Sequence, residues 1–142
     1  DAKKSGVPFE ILHAPSIYTA VAETGLQLYK FGRTTTLPAP QNNYNPSSPF
    51  DVVRENIKSK LHTLVLLDIG MTAKEGLKIL AENGFADTFA VACCRLGTKE
   101  RTIQSGKISE LAGKKELNQM PAAIVIAGEL NFKEEEALKL WG

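Results

Sequence analysis

His62-Thr-Leu-Val-Leu-Leu-Asp-Ile69, followed after two residues by Thr72-Ala-Lys-Glu75, decides the fold class of this chain. The first stretch is a near-continuous apolar run, as expected of a strand buried on both faces. The second is a capping box, in which Thr72 and Glu75 satisfy each other's backbone donors and open a helix. Leu77, Ile79 and Leu80 continue that helix to Gly84. Downstream, Thr88–Leu96 reads as the next buried strand, ended by Gly97 and the charged turn Thr98-Lys-Glu-Arg101. Thr102–Gln104 reads as strand, Ile108–Ala112 as a short helical turn and Ala123–Ala127 as strand, and Asn131 with Glu134 caps a last helix over Phe132–Trp141. Upstream, Phe9–His13 reads as a short strand. Ser16 is the expected N-cap of a helix from Ile17 to about Thr24, stopped by Gly25, and Leu26–Phe31 alternates like a second strand. Thr34–Leu37 is β-branched and suits another. Ser48-Pro49-Phe50-Asp51 starts a helix, with Ser48 as its cap and Val52, Val53, Ile57 and Leu61 as its apolar stripe. Strands alternating with helices make an α/β sandwich around a largely buried sheet. Only Pro38–Ser47 lacks helix and strand formers, and loops of that length are usually functional or mobile.

With 142 residues, 43% of them apolar and 23% charged, the chain suits one domain. It should bury roughly two-thirds of its unfolded surface, enough for a core without staples. Seventeen basic against sixteen acidic residues, scattered along the chain, leave no electrostatic footprint for nucleic acid. The longest apolar run is too short to span a membrane, and no leader pattern opens the chain. Cys93 and Cys94 are adjacent, so a disulfide between them would be strained, and the pair lacks metal-ligand spacing. These features predict a reduced, cytoplasmic domain with no metal and no membrane attachment. Asp1-Ala-Lys-Lys-Ser-Gly6 reads as the last turn of a helix, which predicts that the chain is cut from something longer.

Spacing alone offers little chemistry. No Ser–His–acid order, CxxC, HExxH or Walker-type loop is present. His13 and His62 read as structural or solvent-facing, Asp68 as a tie for the loop that follows its strand. Glu134-Glu135-Glu136 reads as a solvated face early in a helix, favourable to its dipole. Arg95-Leu96-Gly97, at the C-terminal end of a strand, is either a ligand contact or a turn. No side chain is nominated as catalytic.

Taken in series, the motifs are more specific. His13-Ala-Pro-Ser-Ile-Tyr18, Glu23-Thr-Gly-Leu-Gln-Leu-Tyr-Lys-Phe-Gly32, Phe50-Asp-Val-Val-Arg-Glu-Asn56 and Leu61–Ile69 with Met71-Thr72 resemble the archaeal diphthine synthases. Arg95-Leu96-Gly97 and Ile124-Val-Ile-Ala-Gly-Glu-Leu130 follow in the order of that family. The resemblance implies a tetrapyrrole-methylase-like methyltransferase of two α/β domains with S-adenosylmethionine between them. This chain would be the C-terminal domain, a mixed β-sheet flanked by helices over 9–142, with 1–8 as the end of the inter-domain helix or linker and the N-terminal domain absent. The implied reaction methylates the amine of a modified histidine on elongation factor 2, a step of diphthamide biosynthesis, in an enzyme that forms a homodimer. Carried over by motif, the cofactor contacts would be Ser16, Ile17, Leu67, Leu96 and Ala122. Family members carry His where this chain has Ala122: a main-chain contact would be kept there, whereas a contact through the imidazole would fail. The family's aromatic-rich turn is here Asn- and Pro-rich, with only Tyr44. Two other readings stand beside this one: a tetrapyrrole (precorrin or uroporphyrinogen) C-methyltransferase domain, and a non-catalytic dimerisation or binding module.

Overall fold

The computed structural model describes residues 1–40 and 46–142. Five strands form one mixed sheet in the order β1-β2-β5-β3-β4: β1 Thr35–Leu37, β2 Thr63–Leu67, β3 Phe89–Cys94, β4 Thr102–Lys107 and β5 Ala122–Ile126. β1 and β2 run parallel, joined through helix α2 (Ser48–Lys58), and every other pairing is antiparallel. A parallel pair needs such a crossover, whereas β3 and β4 need only the turn 95–101. The C-terminal ends of β2 and β3 therefore meet the N-terminal end of β5 at one edge of the layer, with Leu66 opposite Ala123 and Cys94 opposite Ala122.

Alternation along the strands sends side chains to two separate cores. On one face, Val65, Ile124, Ile126, Ala92 and Cys94 pack under α2, α3 (Ala73–Leu80) and α4 (Ile108–Leu111), through Phe50, Val53, Leu77, Leu80 and Leu111. On the other, Leu64, Val91, Cys93, Ala123 and Val125 pack under Val21, Leu26 and Leu138. That second cover is built from α1 (Ile17–Ala20), the 3-10 turn Val21–Thr24 and α5 (Phe132–Leu138). Gly25 ends the 3-10 turn at φ +86, where a Cβ would stand 2.4 Å from Ala137 Cβ, so the turn stops and α5 closes on it there.

Three expected helix starts are present with their chemistry. Ser16, Thr72 and Asn131 each accept backbone N–H groups of the first turn, in reciprocal capping boxes with Thr19, Glu75 and Glu134. Asp68 ties down its loop by accepting from Ala39 N–H at 3.1 Å and Ile69 N–H at 2.8 Å. Other expectations need correction. Phe9–His13 is not a strand; it lies exposed, and among the described residues no strand pairs with it to complete its backbone bonds. Leu26–Phe31 is not a strand either. Leu28–Lys30 curls into a 3-10 turn, which brings Gln27 and Lys30 onto one carboxylate, and a single bridge joins Phe31 to His62. Ser48 lies inside α2 and Ser47 before it makes no side-chain cap; of the expected stripe Val53 is buried, Val52 half-buried and Ile57 exposed, Leu61 lies beyond the helix end, and Phe50 and Asn56 join Val53 in facing inward. Tyr44 and the middle of the Pro38–Ser47 loop lie outside the described residues.

The largest correction concerns Glu134, expected on a solvated face and found fully buried. Its Oε1 accepts from Gln27 N–H at 3.0 Å and from His62 Nε2 at 2.9 Å, and its Oε2 from Asn131 N–H at 3.0 Å and from Lys30 Nζ. His62 Nδ1 accepts from Gly128 N–H at 2.9 Å, so the ring proton sits on Nε2. Glu135 and Glu136 do face solvent.

Candidate functional site

The C-terminal ends of β2 and β3 meet the N-terminal end of β5 beside the α1 segment. A cleft of about 490 Å³ opens there, within the usual range for small-molecule sites. Its floor is Leu66, Cys93 and Ala123, side chains of three adjacent strands. Pro15, Ser16, Ile17 and Ala20 of the α1 segment form one lip, and Leu96 and Gly97 of the β3–β4 turn form the other. Ser16, Ile17, Leu67, Leu96 and Ala122, drawn from four separate stretches of sequence, thus border a single space.

Position in the sheet separates these residues from the core. Leu64 and Val65 of β2 are sealed, whereas Leu66 and Leu67, one turn of the pleat further on, are only half-buried because the layer ends. Leu96 likewise follows a fully buried run. The backbone there is bent: Arg95 has φ +53, uncommon for a residue with a side chain, and Gly97 has φ +79. Arg95 is held by its N–H on Pro121 O at 2.8 Å, its Nε on Met120 O at 3.2 Å and its Nη1 on Glu100 Oε2 at 2.6 Å. Those bonds tie the turn to the segment that delivers Ala122.

Chemically the cleft is an apolar pocket with the Ser16 hydroxyl and main-chain groups at its mouth. Burial pushes the Cys93 thiol well above its usual range, with Cys94 and Glu23 adding to the shift, so it is no nucleophile. Among the described residues no group of three or more His, Cys, Asp or Glu converges on a point. Spacing did not flag Glu23 and Arg101, which meet at 3.0 Å beside the Gly97 lip of the cleft. A second depression, about 390 Å³, lies beside α3 between Ala39, Ile69 and Ile79. Its rim carries Glu75, already committed to the α3 cap, and none of the five nominated residues.

No family model matches the chain. The diphthine synthase of Methanocaldococcus jannaschii is 44% identical over 155 aligned residues, taking in 98% of this chain and 60% of the relative. That of Methanococcus aeolicus is 44% identical over 98% of this chain and 59% of its own length. A crystal structure of diphthine synthase superposes on 99% of this chain and 57% of that one with a TM-score of 0.88, at 28% identity. The chain therefore spans about 60% of the length of the curated relatives it matches.

Proposed function

We propose that this chain, a homologue of the diphthine synthases along nearly its whole length, is the C-terminal part of an archaeal-type methyltransferase that uses S-adenosylmethionine. Its protein substrate is elongation factor 2, methylated on the amine of the modified histidine during diphthamide biosynthesis, in the cytoplasm and by paired subunits. A second α/β domain ahead of residue 9 closes the open side of the cleft.

One observation carries the reading: the residues nominated by motif come together around one cleft of suitable size. The lining fits the cofactor's chemistry. Leu66 and Leu96 offer apolar packing, and the Ser16 hydroxyl and main-chain groups at the mouth offer hydrogen bonds. The Leu67 side chain packs on the other face of the sheet, under Gly76 of α3, so at Leu67 the contact falls to the main chain. At Ala122 only the main chain is available, so a backbone contact is kept there and an imidazole contact is lost. When bound, S-adenosylmethionine supplies a methyl group already activated by its sulfonium. The task left to this chain is to orient the reactants and keep water out, and orientation alone is worth many powers of ten. No general base is assigned, since an amine that arrives unprotonated needs none.

The test is Leu96→Arg in the intact enzyme. A cation and extra bulk beside a cationic ligand should weaken S-adenosylmethionine binding by roughly 2 kcal/mol, about thirtyfold, in calorimetry. A folded variant that binds as tightly as wild type overturns the pocket assignment.

A further inference from the structure

We propose that Glu23 is a positioning residue for this cleft, fastening the β3–β4 turn, and with it Leu96 and Gly97, to the α1 lip that carries Ser16 and Ile17. The inference rests on the cofactor reading above. Glu23 lies in the 3-10 turn that continues α1. Its Oε1 accepts the Gly97 N–H at 2.7 Å and its Oε2 takes Arg101 Nε at 3.0 Å, so one carboxylate grips both ends of the segment 97–101. Among the described residues no other side-chain hydrogen bond or ion pair joins the two lips.

The turn needs such a hold. Its inner limb is anchored to the strand side through Arg95 on Met120 and Pro121, and Thr98 Oγ1 bonds Arg95 O at 2.8 Å. Among the described residues, side-chain bonds join its outer limb to the α1 side through Glu23 alone. A residue such as Arg95, held in the left-handed region, keeps that conformation when its surroundings over-determine it. Without Glu23 the outer limb swings away from α1, and Leu96 and Gly97 no longer present a fixed wall. The Glu23 and Arg101 side chains are 31% and 45% exposed, so their ion pair adds little to global stability. That separates positioning from folding.

The experiment uses the intact enzyme and S-adenosylhomocysteine as probe, with affinity read by calorimetry and the Gly97 amide read by hydrogen exchange. Glu23→Ala is expected to weaken binding about tenfold and to speed Gly97 exchange, with the melting temperature close to wild type. Glu23→Gln keeps an acceptor for Gly97 and should recover affinity to within about threefold. Glu55→Gln, which breaks an exposed ion pair with Arg33 on the far side of the sheet, should change neither readout. Unchanged affinity and exchange in Glu23→Ala overturns the proposal, as does loss of cooperative folding, which marks a structural role. A wild-type enzyme that does not bind the probe overturns the cofactor reading instead, and the exchange arm still decides whether Glu23 holds the turn.

Discussion

Lys30 and His62 both depend on the Glu134 carboxylate, so neutralising it strands a nearly buried ammonium and leaves an imidazole N–H facing an amide. Breaking a buried pair from one side typically costs several kcal/mol, and we expect Glu134→Gln to lower stability by about 3 kcal/mol in urea unfolding at neutral pH. The same cluster sets an acid limit. Burial holds the His62 pKa below its ordinary 6.5, only partly offset by the Glu134 hydrogen bond. The unfolded ring protonates first, so stability is full above that pH and declines as pH falls below it. Burial acts to raise the Glu134 pKa, but hydrogen bonds from Lys30, the Gln27 and Asn131 N–H groups and His62 outweigh it and hold the carboxyl down to about 2. A second decline therefore begins near the ordinary 4.5 and runs towards about 2, and Glu134→Gln should lack it. Stability that stays flat from about pH 8 to about pH 4 contradicts this account.

Among the elements, the caps act locally and can be tested singly. Thr72 Oγ1 accepts Glu75 N–H at 3.2 Å while Glu75 Oε2 takes Thr72 N–H at 2.8 Å. Thr72→Ala should cost about 1 kcal/mol in thermal unfolding and leave cofactor affinity untouched, because α3 lies on the face of the sheet away from the cleft. A cap is legible in sequence because donor and acceptor are three residues apart, which is why Ser16, Thr72 and Asn131 are found where their spacing puts them. The buried runs of β2, β3 and β5 are legible for a similar reason, since apolarity alone marks a strand covered on both faces. Phe9–His13 reads as a short strand and Leu26–Phe31 alternates like one, but a strand exists only with a partner, and the sequence does not name one. Glu134 fails for the same cause: three consecutive acids look solvated until Gln27, Lys30 and His62 arrive from elsewhere. In the cleft, Leu67 and Leu96 resemble core residues, and only the resemblance in motif singles them out. Nothing local pairs Glu23 with a turn 74 residues away.

At the scale of the whole molecule, the apolar surface is unevenly covered. The segment leading into Pro15 and Ser16 leaves Phe9, Ile11 and Leu12 at 59%, 70% and 79% exposure. Val7, Phe9 and Ile11 alternate with Pro8 and Glu10, the spacing that gathers side chains on one side of an extended chain. Contiguous apolar surface of this kind marks a place where something else packs, because covering it gains about 25 cal/mol per Å². The 142-residue chain by itself should therefore associate, as a dimer or larger species in light scattering at about 0.1 mM, a concentration that favours even weak pairing. Replacing Phe9, Ile11 and Leu12 together by Ser should return it to a monomer. The melting temperature should hold, because none of the three belongs to either core. A wild-type chain that is strictly monomeric at that concentration overturns this reading of the segment.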